Sequence, residues 1–356
     1  MDFTASVFEE AAPGRNLFVG VDVAPGSLGA LADTRVEYVI GGADDERLMS
    51  LIAESEVAVF HNTTTTIARF LATAPSSVLR VWSGWGGDYY GTAISSDAGL
   101  LGPATRHLVH SELRPTFWAG RAIHALRFGP QLRAAARAAD VFSAPIPGDQ
   151  AVFRRRFPQF QGVYSQLNYA SVEDSISIGE RHSLGADLLV GNSAAPTNNH
   201  LEVLQLLALQ DLDGRRVLVP LSYGNQGYAQ SVIREGRRLL GDSFVPITRM
   251  MPLSEYNELL WECGVVLMGA QRQAGLGNIL RAVWQGAHLV LDRHNPVVEY
   301  LRDGGVPVTL LDDIPVSGLP VGPLSEADLA ARRAFLNDNW GRARVLDNIR
   351  TLVDQK

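Results

Sequence analysis

Short apolar runs alternate with helical stretches along this chain, and the alternation is run through twice. In the first half the runs are Leu17–Val23, Val36–Ile40, Val57–Phe60, Val78–Trp82 and Val141–Ala144, with amphipathic stretches at Asp45–Ala53 and Thr65–Thr73 between them. The rhythm breaks over the polar, poorly periodic residues 171–185. It restarts with Ala186–Val190, Val217–Pro220, Phe244–Ile247, Val265–Met268, Leu289–Leu291 and Val308–Leu311. Strand, loop and helix in that order build parallel sheets, because a parallel neighbour can only be reached by a crossover. The expectation is an α/β chain with two Rossmann-like parallel-sheet domains and a cleft between them. Residues 1–170 form the first domain, 171–185 the connection and 186–324 the second domain. Residues 325–356 form a helical segment, opened by the capping pattern Ser325-Glu326-Ala327-Asp328, that packs back on the first domain. A length of 356 residues suits two domains better than a single core.

Ligands of open parallel sheets lie beyond the carboxyl ends of the strands, so the residues after each run carry the chemistry. The most informative are Gly269-Ala270-Gln271-Arg272-Gln273-Ala274-Gly275-Leu276-Gly277-Asn278, a glycine-rich bend with an arginine that turns a strand into a helix. Helix-start N–H groups are unpaired and sit at the positive end of the helix dipole, which makes this a phosphate site. The competing reading is a tight packing turn, and the third glycine of a dinucleotide fingerprint is absent. Three further tips, Gly191-Asn192-Ser193, Ser222-Tyr223-Gly224-Asn225 and Asp292-Arg293-His294-Asn295, are small, polar or glycine-rich. Each alone reads as turn chemistry, but four together suit a diphosphate better than a metal cluster. Tyr256 either stacks on a base or packs in the core.

In the first half, His61-Asn62-Thr63-Thr64 and Trp82-Ser83-Gly84-Trp85-Gly86-Gly87-Asp88-Tyr89-Tyr90 stand out. Trp85, Gly87 and Tyr89 suit sugar faces and hydroxyls. Asp88 is either the general base for an acceptor hydroxyl or a helix cap, and His61 either touches ligand or is a satisfied loop histidine. From Ala104 to Phe160 nine arginines, Arg121 and Arg127 among them, face only Glu112, Asp140 and Asp149, in a chain of net charge −7. That section is either a solvated arginine face or a contact to an anionic membrane surface or a diphosphate-linked acceptor. The overall negative charge argues against nucleic acid as a partner.

One cysteine, Cys263, rules out an intrachain disulfide and reads as a buried structural thiol. The N-terminus lacks a signal-peptide pattern and no apolar stretch reaches the length of a bilayer span, which points to the cytoplasm, with peripheral contact at the inner face of the membrane as an addition. Asp211-Leu212-Asp213 has the Asp-x-Asp form of metal-dependent sugar transferases, yet it precedes Gly214 in a helix-to-strand turn; no metal and no cofactor are assigned.

Four strings sharpen the reading: Val190-Gly191-Asn192-Ser193 followed by Asn199-His200; Val219-Pro220-Leu221-Ser222-Tyr223-Gly224; Arg272 to Asn278; and Leu291-Asp292-Arg293-His294-Asn295-Pro296. They resemble the TDP-N-acetylfucosamine:lipid II N-acetylfucosaminyltransferases, the 4-acetamido-4,6-dideoxygalactosyltransferases of enterobacterial common antigen synthesis, which are GT-B type glycosyltransferases. Trp82 to Asp88 resembles that family's Trp-Gly-Gly-Asp segment. The likeness runs from about Trp82 to Asp312 and is strongest after Asp187. It implies a dTDP-linked deoxy-amino sugar as donor and a polyprenyl-diphosphate-linked glycan as acceptor. Gly191, Asn192, Ser193, Ser222, Tyr223, Gly224, Arg272, Gln273, Gly275, Leu276, Gly277, Asn278 and Asn295 would hold nucleotide and diphosphate, with Asp88 facing the acceptor. The alternatives are a GT-B transferase using another nucleotide sugar or a soluble or protein acceptor, and a non-catalytic nucleotide-sugar-binding relative.

Overall fold

The computed structural model describes residues 2–22, 36–39, 44–90, 99–112, 129–177, 179, 183–314 and 318–354. The chain divides into two compact units: Met1–Ala93 with Gly120–Asp174 and Asn339–Lys356, and Ile94–Ala119 with Ser175–Asp338.

In the first unit β1 (Phe18–Val21) pairs with β2 (Val36–Val39), and a separate four-stranded sheet runs β3 (Val57–His61), β4 (Leu79–Ser83), β5 (Val141–Ala144), β6 (Val163–Gln166) in that order; every pairing is parallel. Successive residues of a strand face opposite sides of the sheet, and here both sides are covered. Val81 and Val141 belong to a cluster with Val7 and Phe8 of the helix Asp2–Ala11 and with Val345, Leu346, Ile349 and Leu352 of the helix Arg342–Val353. Trp82 and Phe142, one residue further along each strand, lie in an aromatic cluster on Phe153, with ring centroids at 5.1 and 3.8 Å. Arg342 fastens its helix by ion pairs to Glu10 and Asp174. The periodicity gave no strand at β6, whose Val-Tyr-Ser-Gln sequence is half polar. The sheet accommodates it because Ser143 Oγ donates to Ser165 O and Tyr164 OH to Ala144 O.

The second unit holds a six-stranded, all-parallel sheet in the order β12 (Thr309–Leu310), β11 (His288–Leu291), β10 (Cys263–Met268), β7 (Asp187–Val190), β8 (Val217–Pro220), β9 (Phe244–Ile247). The chain starts in the middle, winds outward to β9, returns beside β7 as β10 and winds the other way, which is the doubly wound Rossmann order. Leu188, Val190, Val217, Val219, Val265 and Leu267 form one face of the core with Leu201, Leu204, Tyr228 and Val232 from the helices His200–Leu207 and Gln226–Leu240. Leu101 and Val109, from residues 99–112 of the first half, are part of the same core. The contact is specific: Gly102 N donates to Asn199 Oδ1, Thr105 N and Oγ1 donate to Glu202, and a Cβ on Gly102 would collide with the Glu202 carboxylate. Cys263 is buried and burial pushes its thiol up to about 12, the state of an inert packing residue. Asp211 Oδ1 accepts from Asp213 N within a turn. No helix among the described residues is long and apolar enough to cross a membrane.

Candidate active site

The strand order locates the first half of the site. β7 and β10 are neighbours whose following segments leave towards opposite sides of the sheet, so a crevice opens at their carboxyl ends. Two of the sequence-derived loops meet there. Gly191 N donates to Leu267 O at 3.0 Å, and Gly191 has φ of 71°, a left-handed conformation that favours glycine. A Cβ at Gly191 would stand 2.7 Å from His200 Nε2, and one at Gly275 (φ 63°) would stand 3.1 Å from Asn192 Cβ. The glycines therefore serve close approach as well as turning. The loop after β8 joins them: Ala194 N donates to Tyr223 O and Asn225 N to Ala194 O, with Gly224 at φ 111°. Asn192 Nδ2 donates to Tyr223 OH at 3.1 Å, while its buried Oδ1 has no hydrogen-bond partner among the described residues.

Around these loops the polar groups divide into holders and presenters. Asn295 is a holder: its Nδ2 donates to Ala270 O and its Oδ1 accepts from Val297 N, fastening the loop after β10 to the loop after β11. Asn278 Nδ2 donates to Tyr256 OH at 2.9 Å, and burial raises the phenol's pKa. Leu276 is packed in the core, so it brings to the crevice only the backbone of the helix start Leu276–Gln285, next to Gly277, around which there is open space. Arg272 is half-buried, with Nε donating to Thr197 Oγ1 at 3.2 Å and Nη1 to Gln273 O at 3.4 Å. Gln273 is buried, and Ser222 stands in the loop after β8 beside the exposed Tyr223. A cation, a helix start and glycine-lined backbone on one crevice can bind and stabilise a diphosphate.

Three contributors were given no role in the sequence reading, although it quoted two of them, Asn199 and His200, among the family strings. Asn198 Oδ1 accepts from Asn192 N and its Nδ2 donates to Ser193. Asn199, left-handed at φ 53°, donates to both Gly269 O and Leu100 O. His200 is fully buried with Nδ1 3.1 Å from Tyr228 OH, and burial lowers its pKa to about 3, leaving a neutral ring. The available signal was Asn-Asn ahead of a helix, since asparagine tolerates the left-handed region and caps helices.

In the first unit the carboxyl ends of β3 and β4 carry the other candidates. Asp88 is buried, its Oδ2 accepting from Trp82 Nε1 (2.8 Å) and Thr63 N (3.2 Å) and its Oδ1 from Trp85 N (3.0 Å). Burial raises its pKa against the pull of those hydrogen bonds. Both oxygens take part in joining the loops after β3 and β4. Tyr89 does not reach a surface: it is buried against Phe142 and Tyr90, with centroids at 5.3 and 4.8 Å, so its ring belongs to the core rather than to an acceptor site. Gly87 is exposed with open space around it. His61 and Trp85 share a shallow recess with Thr4, Phe8, Ser83, Gly84, Pro145, Leu167, Asn168 and Tyr169. Burial lowers the His61 pKa to about 4, and its buried Nδ1 has no partner among the described residues. Arg121 and Arg127 lie outside the described residues.

Solved structures with this architecture include Anabaena HepE in complex with UDP and glucose (13% identity, TM-score 0.56, covering 99% of this chain and 91% of that one). They also include AviGT4, a glycosyltransferase involved in avilamycin A biosynthesis (13%, 0.53, 99% and 88%). The N-terminal domain of the Candida albicans trehalose-6-phosphate phosphatase is a third (11%, 0.56, 98% and 77%). At such identities the likeness fixes the fold, which is GT-B. The model of the 4-alpha-L-fucosyltransferases, glycosyl transferase group 56, matches residues 125–318, more than half of the chain, and spans every loop of the crevice in the second unit. The chain belongs to that family and is a glycosyltransferase.

Proposed function

We propose that this enzyme transfers a 4-acetamido-4,6-dideoxygalactose-type sugar from a dTDP donor to a polyprenyl-diphosphate-linked glycan, as the resemblance of its loops implies. The observation that carries the reading is the meeting of Gly191, Asn192, Arg272 and the Gly275–Gly277 helix start at the point where the second sheet reverses its winding. In the transfer, the acceptor hydroxyl oxygen forms a bond to the anomeric carbon as the bond from that carbon to the diphosphate breaks. Charge grows on the departing dTDP, and the Arg272 guanidinium with the N–H groups of the helix start offset it in place of a divalent cation. Ser193, Ser222, Tyr223, Gly224, Gln273, Asn278 and Asn295 shape this donor site, and Tyr256 borders it through Asn278.

The acceptor is assigned to the first unit, at Trp85 and Gly87, with Arg121 and Arg127 kept on sequence grounds for its diphosphate. His61 is placed as the proton acceptor because its buried Nδ1 has no partner among the described residues and is unprotonated at neutral pH; a pKa of about 4 makes it a weak base, so its contribution falls at the low end of general-base catalysis. Asp88 acts as a positioning residue. Working at the inner face of the cytoplasmic membrane follows from the lipid-linked acceptor.

Thermal stabilisation by dTDP, UDP, GDP and ADP, with and without EDTA, tests the reading, since a ligand selective for the folded state raises Tm by mass action. Selective, EDTA-insensitive stabilisation by dTDP is expected. Preference for another nucleotide would keep the fold and discard the sugar.

A further inference from the structure

We propose that the recess at the carboxyl end of the first sheet is a subsite for a neutral pyranose ring, with Trp85 and Tyr169 as its stacking platform; that this ring is part of the acceptor rests on the function proposed above. The recess is lined from the ends of all four strands: His61 at the end of β3, Ser83 at the end of β4 with Gly84 and Trp85 beyond it, Pro145 after β5, and Leu167, Asn168 and Tyr169 after β6. The helix Asp2–Ala11 closes one side with Thr4 and Phe8.

Three observations point to a sugar. The Trp85 indole is 49% exposed, although so large an apolar face gains most from being covered. Tyr169 stacks against it, ring centroids 6.1 Å apart at an interplanar angle of 26°, and so holds the exposed indole as a fixed aromatic face of the kind on which the C–H face of a pyranose rests. Among the described residues every other polar lining group is uncharged at neutral pH: the hydroxyls of Thr4 and Ser83, the His61 imidazole, and the Asn168 amide, which is itself tied to Asn339 O and Asn348 Nδ2. Neutral donors and acceptors around an aromatic shelf match sugar hydroxyls. They offer no cation to a phosphate, which separates this recess from the arginine-bearing crevice of the second unit. His61 Nδ1, buried and unpartnered among the described residues, supplies a polar atom for which a hydroxyl is a natural complement.

The experiment is saturation-transfer NMR with the methyl glycosides of glucose and N-acetylglucosamine on the full chain, in parallel with dTDP-induced thermal stabilisation. Wild type should show transfer to ring C–H protons. Trp85→Ala and Tyr169→Ala should each weaken sugar binding about tenfold, and Tyr169→Phe should keep it, because the shelf needs the ring and not the hydroxyl. The dTDP-dependent shift in Tm should be unchanged in all three variants, which also reports that they are folded. No saturation transfer to wild type, or equal sugar binding in the two alanine variants, would overturn the proposal. Loss of dTDP selectivity with sugar binding intact would instead remove the donor reading and leave this subsite standing.

Discussion

Replacing Asp88 by asparagine separates a base from a positioning residue. The carboxylate accepts three hydrogen bonds, two on Oδ2 and one on Oδ1. An amide has one oxygen. If it faces Trp82 Nε1 and Thr63 N, the amide nitrogen faces Trp85 N, and two donors are left opposed and buried. Unsatisfied buried groups cost ~1–3 kcal/mol each. Relief of the desolvation that raises the Asp88 pKa offsets part of that, so a net loss of about 1–3 kcal/mol is expected for Asp88→Asn. At ~2–4 °C per kcal/mol for a unit of this size, Tm should fall by about 2–12 °C. Amide exchange should rise at Trp85, the backbone donor left without an acceptor. Turnover per folded molecule should fall far less than the ~10²–10⁴-fold that general-base loss brings. A variant with wild-type Tm and turnover down by that factor would refute this account and return Asp88 to the role of base.

Arg272→Ala should weaken dTDP binding by ~10–100-fold, the value of a charge-assisted contact, while shifting the Tm of the unliganded protein little; unchanged nucleotide affinity would show that the donor site is misplaced. Gly191→Ala sets a methyl group 2.7 Å from the buried His200 imidazole at a positive φ, so a loss of ~1–3 kcal/mol is expected, with a weakened dTDP response in calorimetry. His61 and His200 have folded pKa values of about 4 and about 3, below the 6.5 of the unfolded chain. The unfolded state therefore binds the extra protons first, and stability, full above pH 6.5, should decline as pH falls towards 4. His200→Gln removes one of these groups and should flatten the fall of Tm with acid; an unchanged slope would mean that His200 titrates normally. His61→Ala should lower turnover with little change in dTDP binding, and equal turnover would exclude it as proton acceptor.

The second sheet was legible because its strands are buried on both faces, so Leu188, Leu189 and Val190 or Val265 to Met268 read as continuous apolar runs. Its donor loops were legible for a related reason. Backbone recognition of a phosphate needs glycine at fixed places in a contiguous stretch, and Gly191, Gly275 and Gly277 are visible without knowing what packs beside them. What stayed hidden depends on residues far apart in sequence. Gly102 and Asn199 are bonded across 97 positions, and no local pattern announces that residues 99–112 pack in the second unit.

The same distinction explains why the first unit was read less well. A ring-shaped, uncharged ligand is held by side-chain faces drawn from several strand ends, and each face looks ordinary alone. Tyr169 follows β6, a strand too polar to be recognised, and Phe8 comes from a helix at the start of the chain. Trp85 was visible only because its neighbours Gly84, Gly86 and Gly87 mark a loop. Even there the sequence could not tell it from Tyr89 four residues on, which a Cβ-free Gly84 lets into the core: a Cβ at Gly84 would stand 2.7 Å from the Tyr89 ring. The glycine that buries one aromatic side chain belongs to the same turn that leaves Trp85 exposed. Gly84→Ala should therefore push on the Tyr89 ring, loosen the loop and weaken sugar binding at Trp85 without altering the response to dTDP. Equal loss of both would mean that the two units do not bind their ligands independently.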